Sequence, residues 1–64
     1  MRFREVEKVI VDDGWIFKNA KGSLHHYVHP VKPGKVAIPN HGGDIDNRTV
    51  KMIMKQAGLQ WPPV

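Results

Sequence analysis

The sequence predicts a small α+β domain with the order helix, strand, strand, strand, helix. Near the N-terminus, Phe3, Val6 and Ile10 recur at the spacing of an amphipathic helix, and a similar pattern follows Asp46. Between them, short β-prone runs are separated by Gly- and Pro-containing turns, which is typical of an antiparallel meander. Because each helix has one apolar stripe to bury, both helices should cover the same face of a three-stranded sheet and leave the other face in solvent. The 64 residues are expected to form one domain (1–64), with a loosely docked tail at 61–64.

The first helix is predicted over Arg2 to Asp12, with charged residues between the apolar ones. Gly14 can adopt the left-handed conformation that often ends a helix, so we expect the helix to stop there. The aromatic and β-branched run Trp15-Ile16-Phe17 favours a first strand. Asn19 to Gly22 is predicted as the turn that follows.

A second strand is predicted over Ser23 to His29, where side chains alternate between the two faces of the sheet. Leu24 and Val28 are typical core residues. The opposite, solvent-exposed face is therefore expected to carry His25, Tyr27 and His29.

Pro33-Gly34 is strong turn chemistry, because proline fixes one backbone angle and glycine supplies the other. The third strand is predicted over Lys35 to Ile38. Pro39 has no backbone N–H to donate, so it should close that strand or place it at an edge of the sheet.

The second helix is predicted over Asn47 to Ala57, with Asp46 as its N-cap and Gly58 just beyond its C-terminus. Its buried face is expected to comprise Thr49, Val50, Met52, Ile53 and Ala57. The aromatic residues Phe3, Trp15 and Phe17 are expected in the core.

Ten Lys and Arg against six Asp and Glu give a formal net charge of +4. Such a charge favours nucleic acid as a partner, and it also fits an acidic protein. The absence of cysteine excludes disulfides and thiolate metal sites, and fits a reducing cytoplasm. No apolar stretch is long enough for a membrane span, and the N-terminus has no apolar signal region. We therefore expect a cytoplasmic protein without a membrane partner.

Four histidines lie within seventeen residues, at positions 25, 26, 29 and 41. Histidine has an ordinary pKa of ~6.5, so it can take and give a proton near neutral pH. In RNA, removing the proton of a 2′-hydroxyl lets that oxygen attack the adjacent phosphate, and a nearby Lys or backbone N–H stabilises the added negative charge. Composition and spacing do not select among His25, His29 and His41 for this role.

The same histidines do not predict a metal site. In a strand at ~3.3 Å per residue, His25 and His29 are ~13 Å apart, and His25 and His26 point to opposite faces. Zinc requires ligand nitrogens ~2.0–2.1 Å from the ion. We expect neither a metal nor another cofactor.

Several short motifs, in order along the chain, resemble the HicA toxin family: Gly22-Ser23-Leu24-His25, His29-Pro30, Val36-Ala37-Ile38-Pro39-Asn40-His41 and Lys55-Gln56-Ala57-Gly58-Leu59. The resemblance implies an αβββα fold like that of double-stranded-RNA-binding domains. It also implies a metal-independent endoribonuclease that cuts mRNA and arrests translation, and a HicB-type antitoxin that covers the active site. The family's catalytic histidine corresponds to His25, which would act as general acid or base.

The predicted site therefore has His25 as its catalytic residue. Lys21, Gly22, Ser23 and Lys35 are expected to hold the RNA substrate, with Tyr27, His29 and His41 as supporting groups. Two alternatives remain at this point: a non-catalytic RNA-binding module of the same fold, and a basic domain that docks an acidic protein.

Overall fold

A computed structural model describes residues 1–62. Its elements are α1 (Phe3–Asp12), β1 (Ile16–Lys21), β2 (Leu24–Val28), β3 (Val36–Pro39) and α2 (Asn47–Gln56). The three strands form one sheet in the order β1-β2-β3, and both pairings are antiparallel. The predicted αβββα order is confirmed.

Backbone hydrogen bonds show why α1 ends where the sequence predicts. The N–H of Gly14 donates to the carbonyl of Val11 (2.9 Å), and that of Trp15 donates to the carbonyl of Ile10 (3.1 Å). This pair of bonds satisfies carbonyls that the last helical turn leaves free, and it requires a left-handed residue at position 14. Gly14 has a φ of 104°, which confirms its predicted role.

The hairpin between β1 and β2 is tighter than predicted. β1 continues to Lys21, and the turn consists of Gly22 and Ser23 alone, with Gly22 at a φ of 57°. The predicted turn at Asn19 to Gly22 is therefore wrong, because a two-residue turn with one left-handed glycine is enough to reverse the chain. The pairing register shifts between Phe17 and Asn19, so Lys18 is an extra residue in a β-bulge.

The structure reverses the predicted faces of β2. Tyr27 is fully buried, whereas Leu24 is 41% exposed. Tyr27 pairs with Val36 and His25 pairs with Ile38, and Val36 and Ile38 are buried core residues of β3. Because strand side chains alternate, burying Tyr27 places His25 on the helix-covered side and Leu24 and His26 on the open side.

Both ends of α2 agree with the sequence prediction. The Asp46 carboxylate accepts a hydrogen bond from the Thr49 amide (2.8 Å). At the other end, the Gly58 and Leu59 amides donate to the carbonyls of Lys55 (3.1 Å) and Met54 (2.8 Å), the same capping pattern as in α1.

The buried side of α2 differs from the prediction at three positions, because Met54 replaces Met52 and Thr49 is only half-buried. Met54 is fully buried and Met52 is 63% exposed. Met54 follows Val50 by four residues and therefore shares its face of the helix, whereas Met52 points away. The buried face consists of Val50, Ile53, Met54 and Ala57.

One core joins the two helices to the same face of the sheet. Val6 and Ile10 of α1 and the buried face of α2 pack with Tyr27, Val36 and Ile38 of the sheet, and Trp15 completes the cluster. Trp61, the first residue of the predicted tail, is partly buried against this core. Residues 63–64 of the predicted tail lie outside the described residues.

Candidate functional site

His25 lies on β2 with its imidazole between two phenylalanines. The ring centroid of Phe3, the first residue of α1, is 4.8 Å from that of His25, and the centroid of Phe17 on β1 is 5.6 Å away. The His25 side chain is half-buried, and within residues 1–62 neither ring nitrogen makes a hydrogen bond. The aromatic contacts therefore fix the ring while leaving its nitrogens free for a ligand.

At the end of the sheet beside His25, a turn and a loop are joined by a backbone hydrogen bond. The Asn40 amide donates to the Ser23 carbonyl (2.7 Å), which ties the chain after β3 to the Gly22-Ser23 turn. His41 follows and is exposed. It lines a hollow of about 260 Å³ that Phe3 also lines, so Phe3 borders both His25 and the His41 loop.

A larger groove of about 820 Å³ runs from this loop along the outer side of α1. Its charged side chains are Arg2, Arg4 and Lys8 together with Glu7 and Asp12, and Lys8 pairs with Asp12 (3.3 Å). Its loop end is formed by Asn40 with Gly42 and Gly43. Phe3 lines this groove as well. A polyanion in the groove would therefore have guanidinium groups available within one residue of the ring that contacts His25.

Tyr27 is not an accessible supporting group, although it lies two residues from His25. Its hydroxyl donates to the Glu7 carboxylate, and the side chain is fully buried. Burial raises the pKa of the phenol well above its usual range, and the adjacent Glu7 raises this pKa further. The phenol therefore stays protonated and joins β2 to α1.

His29 is held by three hydrogen bonds to the backbone. Its Nδ1 accepts from the amides of Val31 (3.0 Å) and Lys32 (2.9 Å), so the Nε2 that lies 2.8 Å from the Asp13 carbonyl must carry the proton and donate it. The ring also contacts Trp15 edge-on, with centroids 5.2 Å apart. This arrangement makes His29 a structural link between the end of α1 and the loop after β2.

Lys32 strengthens the same link. Its ammonium bonds to the Asp13 carboxylate and to the Ala57 carbonyl at the end of α2 (3.0 Å). The hydrogen bond from Lys32 holds the pKa of Asp13 below its usual range. The Lys32 ammonium is therefore occupied by contacts that stabilise the fold.

The two predicted substrate-binding lysines do not flank His25. Lys21 and Lys35 line a small depression on the open face of the sheet, together with Lys18, Asn19 and His26. Lys21 pairs with Leu24 and Asn19 pairs with His26, which places them on the face opposite His25. The structure therefore brings the predicted lysines together around the neighbouring histidine.

In the described part of the chain, residues 1–62, no three His, Cys, Asp or Glu side chains come together as a metal-binding group. His25 has aromatic neighbours and His29 has backbone partners. Histidines that are close together in the sequence thus have different neighbours in the fold.

A family model described as the HicA toxin of bacterial toxin–antitoxin systems matches residues 3–59, from the first residue of α1 to the capped end of α2. The chain belongs to the HicA toxin family. No curated protein matches the chain. Membership of the HicA family makes this protein a toxin of a toxin–antitoxin system, and an antitoxin is its implied partner. No helix within residues 1–62 has the length and apolar character to cross a membrane.

For a HicA toxin, the site contains features that the sequence did not reveal. Phe3 and Phe17 were expected in the core, but Phe17 is 50% exposed and both rings contact His25. His26 was not singled out, although it lies among three lysines. Strand alternation places Leu24, His26 and Val28 on one face of β2. That this face is the open one follows only from the burial of Tyr27 on the opposite face.

Proposed function

We propose that this HicA toxin is a metal-independent endoribonuclease that cuts mRNA in the cytoplasm and thereby arrests translation. The observation that carries the proposal is His25, a half-buried imidazole without a hydrogen-bond partner within residues 1–62, in contact with Phe3, which also lines a groove that carries Arg2 and Arg4. Together with membership of a toxin family, this favours proton transfer on a polyanion over a purely structural role.

In the proposed reaction, His25 takes the proton from an RNA 2′-hydroxyl. The 2′-oxygen then forms a bond to the adjacent phosphorus, and the bond from phosphorus to the 5′-oxygen of the next nucleotide breaks. The products are a 2′,3′-cyclic phosphate and a 5′-hydroxyl, whose proton comes from a general acid. No oxidant, reductant or metal is needed to balance this step, and a well-placed base contributes ~10²–10⁴-fold to its rate.

The Gly22-Ser23 turn and the α1 groove are suited to the phosphate. Glycine at position 22 has open space where a Cβ would lie, so a phosphate can approach the turn's backbone closely. Arg2 and Arg4 supply guanidinium groups that can pair with phosphate oxygens. Lys21 and Lys35 remain proposed RNA contacts, but from the other face of the sheet.

His41 is our candidate for the general acid. The buried Tyr27 hydroxyl donates a hydrogen bond to Glu7, and both ring nitrogens of His29 are hydrogen-bonded to the backbone. His41 is exposed and shares the wall of its hollow with Phe3. Of the predicted supporting residues, His41 is therefore the one that is exposed near Phe3.

We further propose that a HicB-type antitoxin inhibits the toxin by covering the His25 end of the sheet. The groove beside Phe3 is open and carries Arg2 and Arg4. An acidic segment of the antitoxin would compete there with RNA for the same basic side chains.

The test is cleavage of RNA by the purified native chain and by His25→Ala, with identification of the new ends. We expect cyclic-phosphate ends from the native chain and a rate lower by ~10²–10⁴-fold in the variant. Circular dichroism should show the same fold for both proteins. Free imidazole should restore part of the activity, because the substitution leaves a gap between Phe3 and Phe17.

Lys51→Ala, on the exposed side of α2, serves as the control and should cut RNA at the native rate. A native chain that binds RNA without cutting it would make the protein a non-catalytic RNA-binding module. If His25→Ala cut as fast as the native chain, the proton-transfer role of His25 would be wrong.

A further inference from the structure

The acidic residues of this chain are absent from its sheet. All six Asp and Glu lie at or before position 13 or at or after position 44. The segment 14–43 between them carries all four histidines and four lysines, which are Lys18, Lys21, Lys32 and Lys35. The sheet is therefore the source of a one-signed positive field, whereas α1 mixes both signs.

Three of those four lysines converge on one place. Lys32 is engaged by Asp13 and the Ala57 carbonyl. The other three line the depression around His26 on the open face of the sheet. We call Lys18, Lys21, Lys35 and His26 the open-face cluster.

The β-bulge in β1 contributes to this convergence. A regular strand would place Phe17 and Asn19 on the same face, but the shifted register pairs Phe17 with Tyr27 and Asn19 with His26. Lys18 is the extra residue at that shift, and it lines the depression together with Asn19. Bulges re-aim side chains in this way at functional surfaces.

The chemistry of the open-face cluster suits a phosphate group. Its lining offers three ammonium groups, an amide and an imidazole, and no carboxylate. The depression measures about 90 Å³, which suits a small anionic group rather than a bulky apolar side chain. A series of such groups along a polymer would be held by Coulomb attraction and counterion release.

The position of the cluster favours a nucleic-acid strand as that polymer. His25 pairs with Ala20 on the edge strand β1, and the next pair in the ladder is Lys21 with Leu24. These neighbouring pairs point to opposite faces, so the cluster and the proposed cleavage site lie on opposite sides of the sheet next to its β1 edge. A strand with a phosphate at every nucleotide can cross this edge and contact both faces.

We propose that the open-face cluster is a second phosphate-binding surface, which holds the RNA backbone on the side of the sheet opposite His25. This proposal rests on the proposed function for its ligand, but not on the cleavage chemistry. The surface anchors the RNA, while the groove beside Phe3 presents it to His25.

The test measures binding of a fluorescent 2′-O-methyl RNA oligonucleotide by anisotropy over a series of salt concentrations. This probe keeps every phosphate but has no free 2′-hydroxyl, so binding is read without cleavage. The variant is Lys18→Gln, Lys21→Gln and Lys35→Gln together. The matched control is Arg48→Gln, Lys51→Gln and Lys55→Gln, which removes three exposed positive charges from α2 on the far side of the molecule.

For single strands the logarithm of affinity falls with the logarithm of salt by about 0.7 per phosphate contact, so loss of three contacts should reduce the slope by about 2. The ratio of the native chain's RNA affinity to that of the open-face variant should then decrease by about 18-fold between 50 and 200 mM salt. The α2 control should keep most of the native slope. Circular dichroism should show the same fold in all three proteins.

Equal losses in the two triple variants would mean that only net charge matters, and would overturn the proposal. A second arm replaces the RNA probe with oligoglutamate. If oligoglutamate binding depended on the three lysines and RNA binding did not, the surface would belong to an acidic protein instead. A native chain that binds the probe but does not cut RNA would refute the proposed function and leave this surface standing.

Discussion

Tyr27 is the only tyrosine in the chain, so its ionisation can be followed without interference. The side chain is fully buried, and its hydroxyl donates to Glu7. Burial is the larger cause of its raised pKa, and the neighbouring carboxylate is the second. We therefore predict that raising the pH above 10 lowers the free energy of unfolding while the native phenol stays protonated.

The sign of the effect follows from proton linkage. The unfolded chain loses the phenol proton near its ordinary pKa of 10.0, whereas the native state keeps it to higher pH. Between pH 10 and the higher native pKa, the native state binds one more proton than the unfolded chain. The free energy of unfolding therefore falls by about 1.4 kcal/mol per pH unit in this range. Below pH 10 this contribution to stability is fully present. A domain of this size has about 3–10 kcal/mol in total, so two to three pH units remove a large part of its stability.

The assay records the near-ultraviolet absorbance of the phenolate and the far-ultraviolet circular dichroism in one alkaline titration. We expect both signals to change in the same transition. In Tyr27→Phe, the free energy of unfolding in urea should lose the part of its alkaline dependence that the phenol causes. A phenolate signal that rises near pH 10 with the circular dichroism unchanged would refute the buried, protonated Tyr27.

Two further predictions concern the link between α1 and the loop after β2. A Cβ at Gly14 would lie 2.7 Å from His29 Nε2, whereas a Cβ at Gly34 (φ 86°) would meet open space. Gly14→Ala should therefore lower the free energy of unfolding by at least ~1 kcal/mol more than Gly34→Ala. Equal losses for the two variants in urea denaturation would contradict the close contact. Lys32 lowers the pKa of Asp13, so the stability that Asp13 contributes is present above pH 3.8 and is lost as the pH falls through its lower native pKa. Asp13→Asn should therefore unfold at lower urea than the native chain at neutral pH, and the two midpoints should converge in acid; a constant gap would argue against the ion pair.

The helix ends were predictable because their signals are local. Asp46 can cap α2 through its own side chain, and Gly14 and Gly58 supply the left-handed residues that end the two helices. Each needs only neighbours within about one helical turn. The strand order was predictable for the same kind of reason, because short turns make neighbouring strands pair.

The candidate site was predicted in part. His25 and the Gly22-Ser23 turn were named from sequence, and the structure places them at one end of the sheet. Lys21 and Lys35 were also named, but the fold gathers them around His26 instead. Whether His25 cuts RNA stays a prediction.

The amino-acid sequence by itself determined the elements, their order, the excess of positive charge and the family resemblance. It did not determine which face of β2 is buried, because a strand of alternating apolar and aromatic residues can satisfy either choice. That choice belongs to the tertiary structure: Tyr27 packs in the core, where Glu7, twenty residues away on α1, accepts a hydrogen bond from its hydroxyl. Once that contact forms, the two-residue period of the strand sends His25 to the aromatic side and His26 to the lysines.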